Sequence, residues 1–437
     1  MSADTAETFT AGTQVSILLP LPLGSAYDYR VPNGMRLAVG DFVRVPLGPR
    51  TASGVVWGPG KGDIDAAKVK EVIGLHDCRA LPDASRRFVD WVARYTLASP
   101  GAVLKMAMSV SDALDPPKPQ TAYTKGTVGG GIRMTPARQR VLACTADGPP
   151  RGLTELAREA GVSTSVIKGL ADAGAVTMVS VPVFKLPPAP DPEHAGPKLS
   201  TEQAEAAETL SADAAAGGFG VTLLDGVPGA GKTEVYFQAV AETLKKGQQV
   251  LVLLPEIALS AQWLERFRRR FGALPAEWHS DLTHAQRRAT WRAVSEGRTP
   301  VIVGARSALF LPFADLGLII VDEEHESAFK QEEGVIYNGR DMAVVRAQLG
   351  DLPITLVSAT PSLETIVNAE SGRYTSLHLP LRHAGAALPE IGVVDMLKTP
   401  PPRGDWISPP LRDAVEKTLA NGEQALLFLN RRGYAPL

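Results

Sequence analysis

The chain has 437 residues, of which 44% are hydrophobic and 21% charged, with a formal net charge of −2. That length provides for about three domains, and the near-neutral balance excludes a global basic field as the means of holding nucleic acid. Two cysteines, Cys78 and Cys144, are too few for a disulfide framework or a zinc cluster; the sequence shows no membrane-spanning apolar run and no secretion signal, so a cytoplasmic protein with no membrane partner is expected.

In chain order, the runs VSILLP, YDYRVP, DFVRVPLG and SGVVWG are separated by turn residues and predict a small β-rich domain over 1–115. A helix-like stretch follows around Arg86–Tyr95. The segments 115–131 and 181–197 are rich in proline and glycine, lack periodic apolar positions and read as linkers. Between them, residues 132–181 carry Leu156, Ala157, Val162, Val166, Ile167 and Leu170 at helical spacing across a glycine turn. Ser163 stands where it can cap the second helix. Two short helices and a following strand predict a winged helix; such folds either read DNA grooves or pack against protein, and both remain open.

Residues 198–380 alternate strands and helices. The strands 221–225, QVLVLLP, TPVIVGA, LGLIIVDE and PITLVSAT are nearly continuous in apolar residues, as a parallel α/β sheet buried between helices requires. After the first strand comes GVPGAGKT, with Gly226, Gly229, Gly231, Lys232 and Thr233 in a phosphate-loop pattern. Glycines let several N–H groups point at one anion, and the helix N-terminus adds partial positive charge. Lys232 then reaches the β- and γ-phosphates of ATP, and Thr233 holds Mg²⁺. LIIV is followed by Asp322, Glu323, Glu324 and His325; Asp322 is expected to bind Mg²⁺ and Glu323 to polarise the attacking water. Gln203 either pairs with an adenine edge or faces solvent. Ser358-Ala359-Thr360 ends another strand and either contacts the acidic motif or is a plain turn. Residues 262–306 hold nine arginines against four acids, with Trp263, Trp278 and Trp291 interspersed. Such a stretch suits a single-strand groove or an ordinary helix surface and core; Arg306, and after it His279, are the residues singled out for DNA.

Taken together, GVPGAGKTEVY, LLPEIALSAQ, WHSDLT, VGARSALFLPF, VDEEHESAFKQEEG, VSATPSLET and LLFLNRRGYAP closely resemble the PriA family of superfamily 2 replication-restart helicases. PLGSAYDYRVPNG and FVRVPLGPR resemble its 3′-end-binding domain. The resemblance implies a multidomain chain with a β-rich 3′-DNA-end-binding domain, a winged helix and a RecA-like lobe. It implies an ATP-dependent helicase that remodels forked DNA 3′ to 5′, binds single-stranded DNA and supports reloading of the replicative helicase. Implied partners are primosome proteins, single-stranded-DNA-binding protein and the helicase loader, at the nucleoid. Tyr27, Asp28, Gly48 and Lys70 match the 3′-end pocket, and Ser327–Arg340 matches an aromatic-rich loop that contacts DNA, with Phe329, Lys330, Gln331, Tyr337 and Arg340 in place.

Departures accompany the match. Val335 and Ile336 stand where the family has a tryptophan and a basic residue, Ala305 where it has threonine, and Val357 where it has glycine. Residues 381–437 resemble the start of a second lobe, left incomplete, without the family's zinc-binding cysteines or the arginine that completes the ATP site. ATP binding, weak hydrolysis and no processive unwinding are therefore expected of this chain. The competing readings are a non-catalytic fork-binding scaffold that holds ATP, and an unrelated P-loop ATPase acting on protein.

Overall fold

The computed structural model describes residues 7–62, 65, 68–116, 120–127, 132–146, 148–181, 187–255, 261–381 and 390–428. Residues 256–260, within the LLPEIALSAQ motif, lie outside them. The chain divides into two units, 1–383 and 384–437.

The N-terminal part holds β1 (Thr8–Phe9), β2 (Gln14–Leu18), β3 (Tyr27–Arg30), β4 (Leu37–Ala38), β5 (Phe42–Leu47), β6 (Arg50–Pro59) and β7 (Gly74–Leu75). β1 pairs with β4, and the others form an antiparallel sheet in the order β3-β2-β6-β5-β7. β5 and β6 are joined by a two-residue turn in which Gly48 has φ 59°, the sign a tight hairpin demands at its first central position. Helices α1 (Asp83–Thr96) and α2 (Pro100–Ala107) follow.

The next part contains β8 (Gln120–Lys125), α3 (Pro136–Ala146), β9 (Arg151–Gly152), α4 (Leu153–Ala160), α5 (Thr164–Asp172) and β10 (Val176–Val181). The helix-turn-helix of α4 and α5 is closed by Gly161, at φ 61°, and backed by an antiparallel sheet in the order β10-β8-β9, the layout of a winged helix. Two expectations change here. Residues 120–125, read as linker, are the central strand of this sheet: full pairing with β10 supplies the order that the local sequence does not announce. Ser163 sits at the N-cap of α5, but its hydroxyl bonds Ser165 Oγ at 2.8 Å instead of capping a backbone N–H.

The third part runs α6 (Thr201–Ala216), β11 (Gly220–Gly226), α7 (Lys232–Lys245), β12 (Gln249–Leu253), α8 (Ala261–Phe271), β13 (Ala276–Trp278), α9 (His284–Ser295), β14 (Val301–Gly304) and β15 (Leu316–Asp322). It continues through β16 (Lys330–Gln331), β17 (Tyr337–Asn338), α10 (Gly339–Gly350), β18 (Pro353–Ser358), α11 (Leu363–Glu370) and β19 (Thr375–Leu379). Seven strands form one parallel sheet, β13-β14-β12-β15-β18-β11-β19, covered on both faces. Parallel strands need crossover helices, which place the strand ends and the helix N-termini at one edge.

The N-terminal sheet and this lobe share a core. The Phe42 ring meets Trp291 edge-on at 5.9 Å, and Phe88 meets Phe310 at 5.1 Å. Trp291 donates its indole N–H to Ala107 O at 2.8 Å. Arg346 of α10 is 3% exposed; it donates to Ser85 Oγ and Leu311 O and lies over the Phe88 ring. The stretch read as a second linker is also held at its far end, where buried Arg270 donates to the carbonyls of Pro192 and His194.

The second unit contains α12 (Pro409–Ala420). Residues 423–428 form no strand, and residues 429–437 lie outside the described residues.

Candidate nucleotide and nucleic-acid site

β11 ends at Gly226, and the chain turns over five residues into α7. A side chain at Gly226 would stand 2.8 Å from Leu379 Cβ, because β19 runs alongside. Gly229 and Gly231 both have φ 81°, a conformation that glycine adopts without strain and that lets the loop wrap the N-terminus of α7. Gln203 closes the loop from behind. It is 5% exposed, its Oε1 accepts from Ser200 N at 2.9 Å, and its Nε2 donates to Ala230 O at 2.8 Å. The amide is thus neither solvent-facing nor loose; it buttresses the loop.

Lys232 folds onto that loop, donating to Gly226 O at 2.7 Å. Burial lowers its pKa, while Glu323, Asp322 and Asp225 favour its charge. Thr233 follows, half-buried. Asp322 closes β15: its Oδ1 accepts from Glu323 N at 3.0 Å and its Oδ2 from Tyr236 Oη at 2.8 Å. Burial pushes this carboxyl up to about 6. Glu323 has φ 52°, a region that non-glycine residues seldom occupy and that concentrates at functional sites. Glu324 is buried and accepts from Ser362 N at 2.7 Å, Thr365 Oγ1 at 3.1 Å and Arg340 Nη1 at 3.3 Å. His325 Nδ1 lies 2.8 Å from Ser358 Oγ, so the acidic motif and the Ser358-Ala359-Thr360 turn are in contact.

These residues fit a nucleoside triphosphate with a divalent cation. The loop leaves open space at Gly229, where an added Cβ would meet nothing within 4 Å, and the half-buried ammonium stands among carboxylates beside a helix N-terminus. In that arrangement Lys232 would meet the phosphates, Thr233 and Asp322 the cation shell, and Glu323 the attacking water.

A cleft of about 480 Å³ opens where β12 and β14 end, lined by His279, Ser280, Arg287, Arg306, Ser307 and Gln331 among others. Arg287 stacks over Trp278 at 5.1 Å, and His279 Nε2 is 3.3 Å from Glu277. Arg306 donates to Gln331 Oε1 at 3.4 Å and to the carbonyls of Ala328 and Lys330. It therefore ties the strand β14 to the segment 327–340.

The aromatic rings of that segment are buried. Phe329 is 1% exposed and Tyr337 4%, the latter edge-on to Phe310 at 5.6 Å, with burial pushing its pKa to about 12. Arg340 is 8% exposed and bonded to Glu324 and Asp341. Packing of the two rings against the shared core and pairing of Arg340 remove these residues from solvent and leave Ser327, Lys330 and Ile336 among the segment's exposed positions.

In the N-terminal sheet Tyr27 is 40% exposed, and Asp28 accepts from Ser16 Oγ, Lys61 N and Gly62 N at 2.8 to 3.1 Å. Arg30 N donates to Lys70 O at 2.9 Å, which brings exposed Lys70 beside the strand of Tyr27 and Asp28. Gly48 lies at the β5–β6 turn, and no described hydrogen bond joins it to the other three. Sequence reading did not single out Tyr236, and it did not connect Trp263 to Tyr236 or Glu324 to Arg340. Tyr236 was within reach, since it lies four residues beyond Lys232 and hence on the same helix face; the others are brought in by tertiary packing alone.

Residues 16–109 match the model of the 3′ DNA-binding domain (3′BD) of PriA, and residues 201–369 that of the DEAD/DEAH box helicase. The chain is 33% identical over 425 residues to the replication restart protein PriA of Rickettsia felis, covering 96% of this chain and 54% of the relative. It is 34% identical to that of Haemophilus influenzae, covering 97% and 59%, and 37% identical over 321 residues to that of Bacillus subtilis, covering 70% and 39%. The chain thus spans about half the length of the curated relatives it matches. Among solved structures, RecG bound to a three-way DNA junction is similar at 19% identity and TM-score 0.37, covering 52% of this chain and 29% of that one. The DUF1998 helicase MrfA is similar at 17% and 0.35, covering 54% and 36%. These sequence matches make the chain similar, over nearly all of its residues, to the replication restart proteins PriA.

Proposed function

We propose that the chain binds forked DNA carrying a 3′ end and uses ATP with Mg²⁺ to remodel it, 3′ to 5′, in replication restart. The observation that carries this reading is the convergence of Lys232, Asp322, Glu323 and the Gly229–Gly231 loop at one end of the parallel sheet, the end at which the Arg306 cleft also opens. Tyr27, Asp28, Gly48 and Lys70 would take the 3′ end: an aromatic ring stacks a base, a carboxylate accepts from a terminal hydroxyl and an ammonium meets phosphate. Arg306, Lys330 and His279 would track the single strand, while Phe329, Tyr337 and Arg340 would act on it from inside the lobe. Gln203 would set the position of the phosphate loop. Such a protein works at the nucleoid, with single-stranded-DNA-binding protein, primosome proteins and a helicase loader as partners. Among the described residues no helix is long and apolar enough to cross a membrane.

A second reading, a fork-binding scaffold in which ATP is a structural ligand, is favoured by one observation: the aromatic rings of 327–340 are buried. Steady-state ATP hydrolysis separates the two. Turnover stimulated by a fork with a free 3′ end, and reduced by roughly 10²-fold or more in Lys232→Ala, is expected of the first reading. Fork binding without turnover above that variant supports the second.

A further inference from the structure

Tyr236 is fully buried on α7, and its hydroxyl donates to Asp322 Oδ2 at 2.8 Å. Trp263, on α8 and 6% exposed, donates its indole N–H to the same hydroxyl at 2.7 Å. The polarity of this chain is fixed by chemistry. An indole N–H only donates, so the tyrosine oxygen accepts; the tyrosine's single proton is then left for the carboxylate, which accepts when ionised. Phe237 walls the relay, its ring edge-on to Tyr236 at 5.2 Å and to Trp263 at 5.7 Å. With Oδ1 held by the Glu323 N–H, both oxygens of Asp322 are pinned from the protein side.

We infer that Tyr236 is a positioning residue for Asp322, itself oriented by Trp263, and that this buried relay fixes the rotamer in which Asp322 meets the Mg²⁺ shell of a bound nucleotide. The inference rests on the nucleotide site proposed above. It assigns work to two aromatic residues that otherwise read as core. Removing the tyrosine hydroxyl frees the Oδ2 side of the carboxylate while leaving the ring in place. Groups that orient metal-site carboxylates typically change metal affinity or activity by about 10–100-fold when lost, and a contact made through water belongs at the low end.

The test is equilibrium binding of a fluorescent N-methylanthraniloyl ATP analogue to the full chain, titrated with Mg²⁺, for the wild type, Tyr236→Phe and Trp263→Phe. The half-saturating Mg²⁺ concentration rises about 10-fold in Tyr236→Phe and by less, in the same direction, in Trp263→Phe. Binding of the analogue in excess EDTA stays unchanged, as a general loss of packing would not allow. An unchanged Mg²⁺ midpoint in folded Tyr236→Phe overturns the inference. Should that variant fail to fold, an unchanged midpoint in Trp263→Phe overturns it equally. A wild-type chain that binds no analogue at all refutes the nucleotide site itself, and the relay with it.

Discussion

The phosphate-loop end of the sheet and the segment 327–340 follow buried strands of the same lobe, yet they keep their functional groups in opposite ways. At the phosphate loop, the backbone does the work: Gly229 and Gly231 hold left-handed turns, Gln203 braces the loop, and Lys232 stays half-buried near carboxylates. In 327–340, Phe329, Tyr337 and Arg340 are drawn into the core, and Arg340 spends its charge on buried Glu324. The first region offers a site for a ligand. The second is packed into the core and joined to the cleft through Arg306 and to the acidic motif through Glu324.

That contrast can be broken or sharpened by substitution. If 327–340 works through packing, Phe329→Ala destabilises the protein by about 3–5 kcal/mol, read by denaturant unfolding. A loss below about 1 kcal/mol would place the ring outside the core.

Asp322→Asn gives a smaller, pH-dependent effect in protein free of metal and nucleotide. The folded-state pKa of about 6 lies above the ordinary 3.8. The folded state therefore holds this proton more tightly, and wild-type stability falls as pH rises between those values. Asparagine carries no such penalty. The variant should gain on the order of 1–3 kcal/mol relative to wild type at pH 8, with the gain largely gone at pH 4. Thermal melts showing a pH-independent difference would contradict this account of Asp322.

Smallest of all, Lys330→Ala should leave stability within about 0.5 kcal/mol and lower the slope of log affinity for single-stranded DNA against log salt by about 1. An unchanged salt slope would remove Lys330 from the DNA path.

The same contrast explains what the sequence disclosed. The strands of LLDG, QVLVLLP, TPVIVGA, LGLIIVDE and PITLVSAT were legible because strands buried on both faces must be apolar throughout, and all five lie in the sheet. The short edge strand β13 and the edge strand β19 have partners on one side only and carry no such run, so they were not read. The phosphate loop was legible because its glycines encode backbone angles locally. Whether Phe329 or Tyr337 faces water depends on Phe310 and the neighbouring core, which no local spacing reveals. Likewise β8 hides in a proline- and glycine-flanked stretch until β10 pairs with it.

The most direct test of the central claim, that the nucleotide end and the Arg306 cleft of one lobe are energetically coupled, is the affinity for a labelled fork with and without a non-hydrolysable ATP analogue and Mg²⁺. Coupling between sites typically amounts to about 5–150-fold in affinity. The account predicts a shift of at least about 5-fold in the wild type that disappears in Lys232→Ala. Equal affinities in the wild type, under conditions where the analogue is bound, would contradict it.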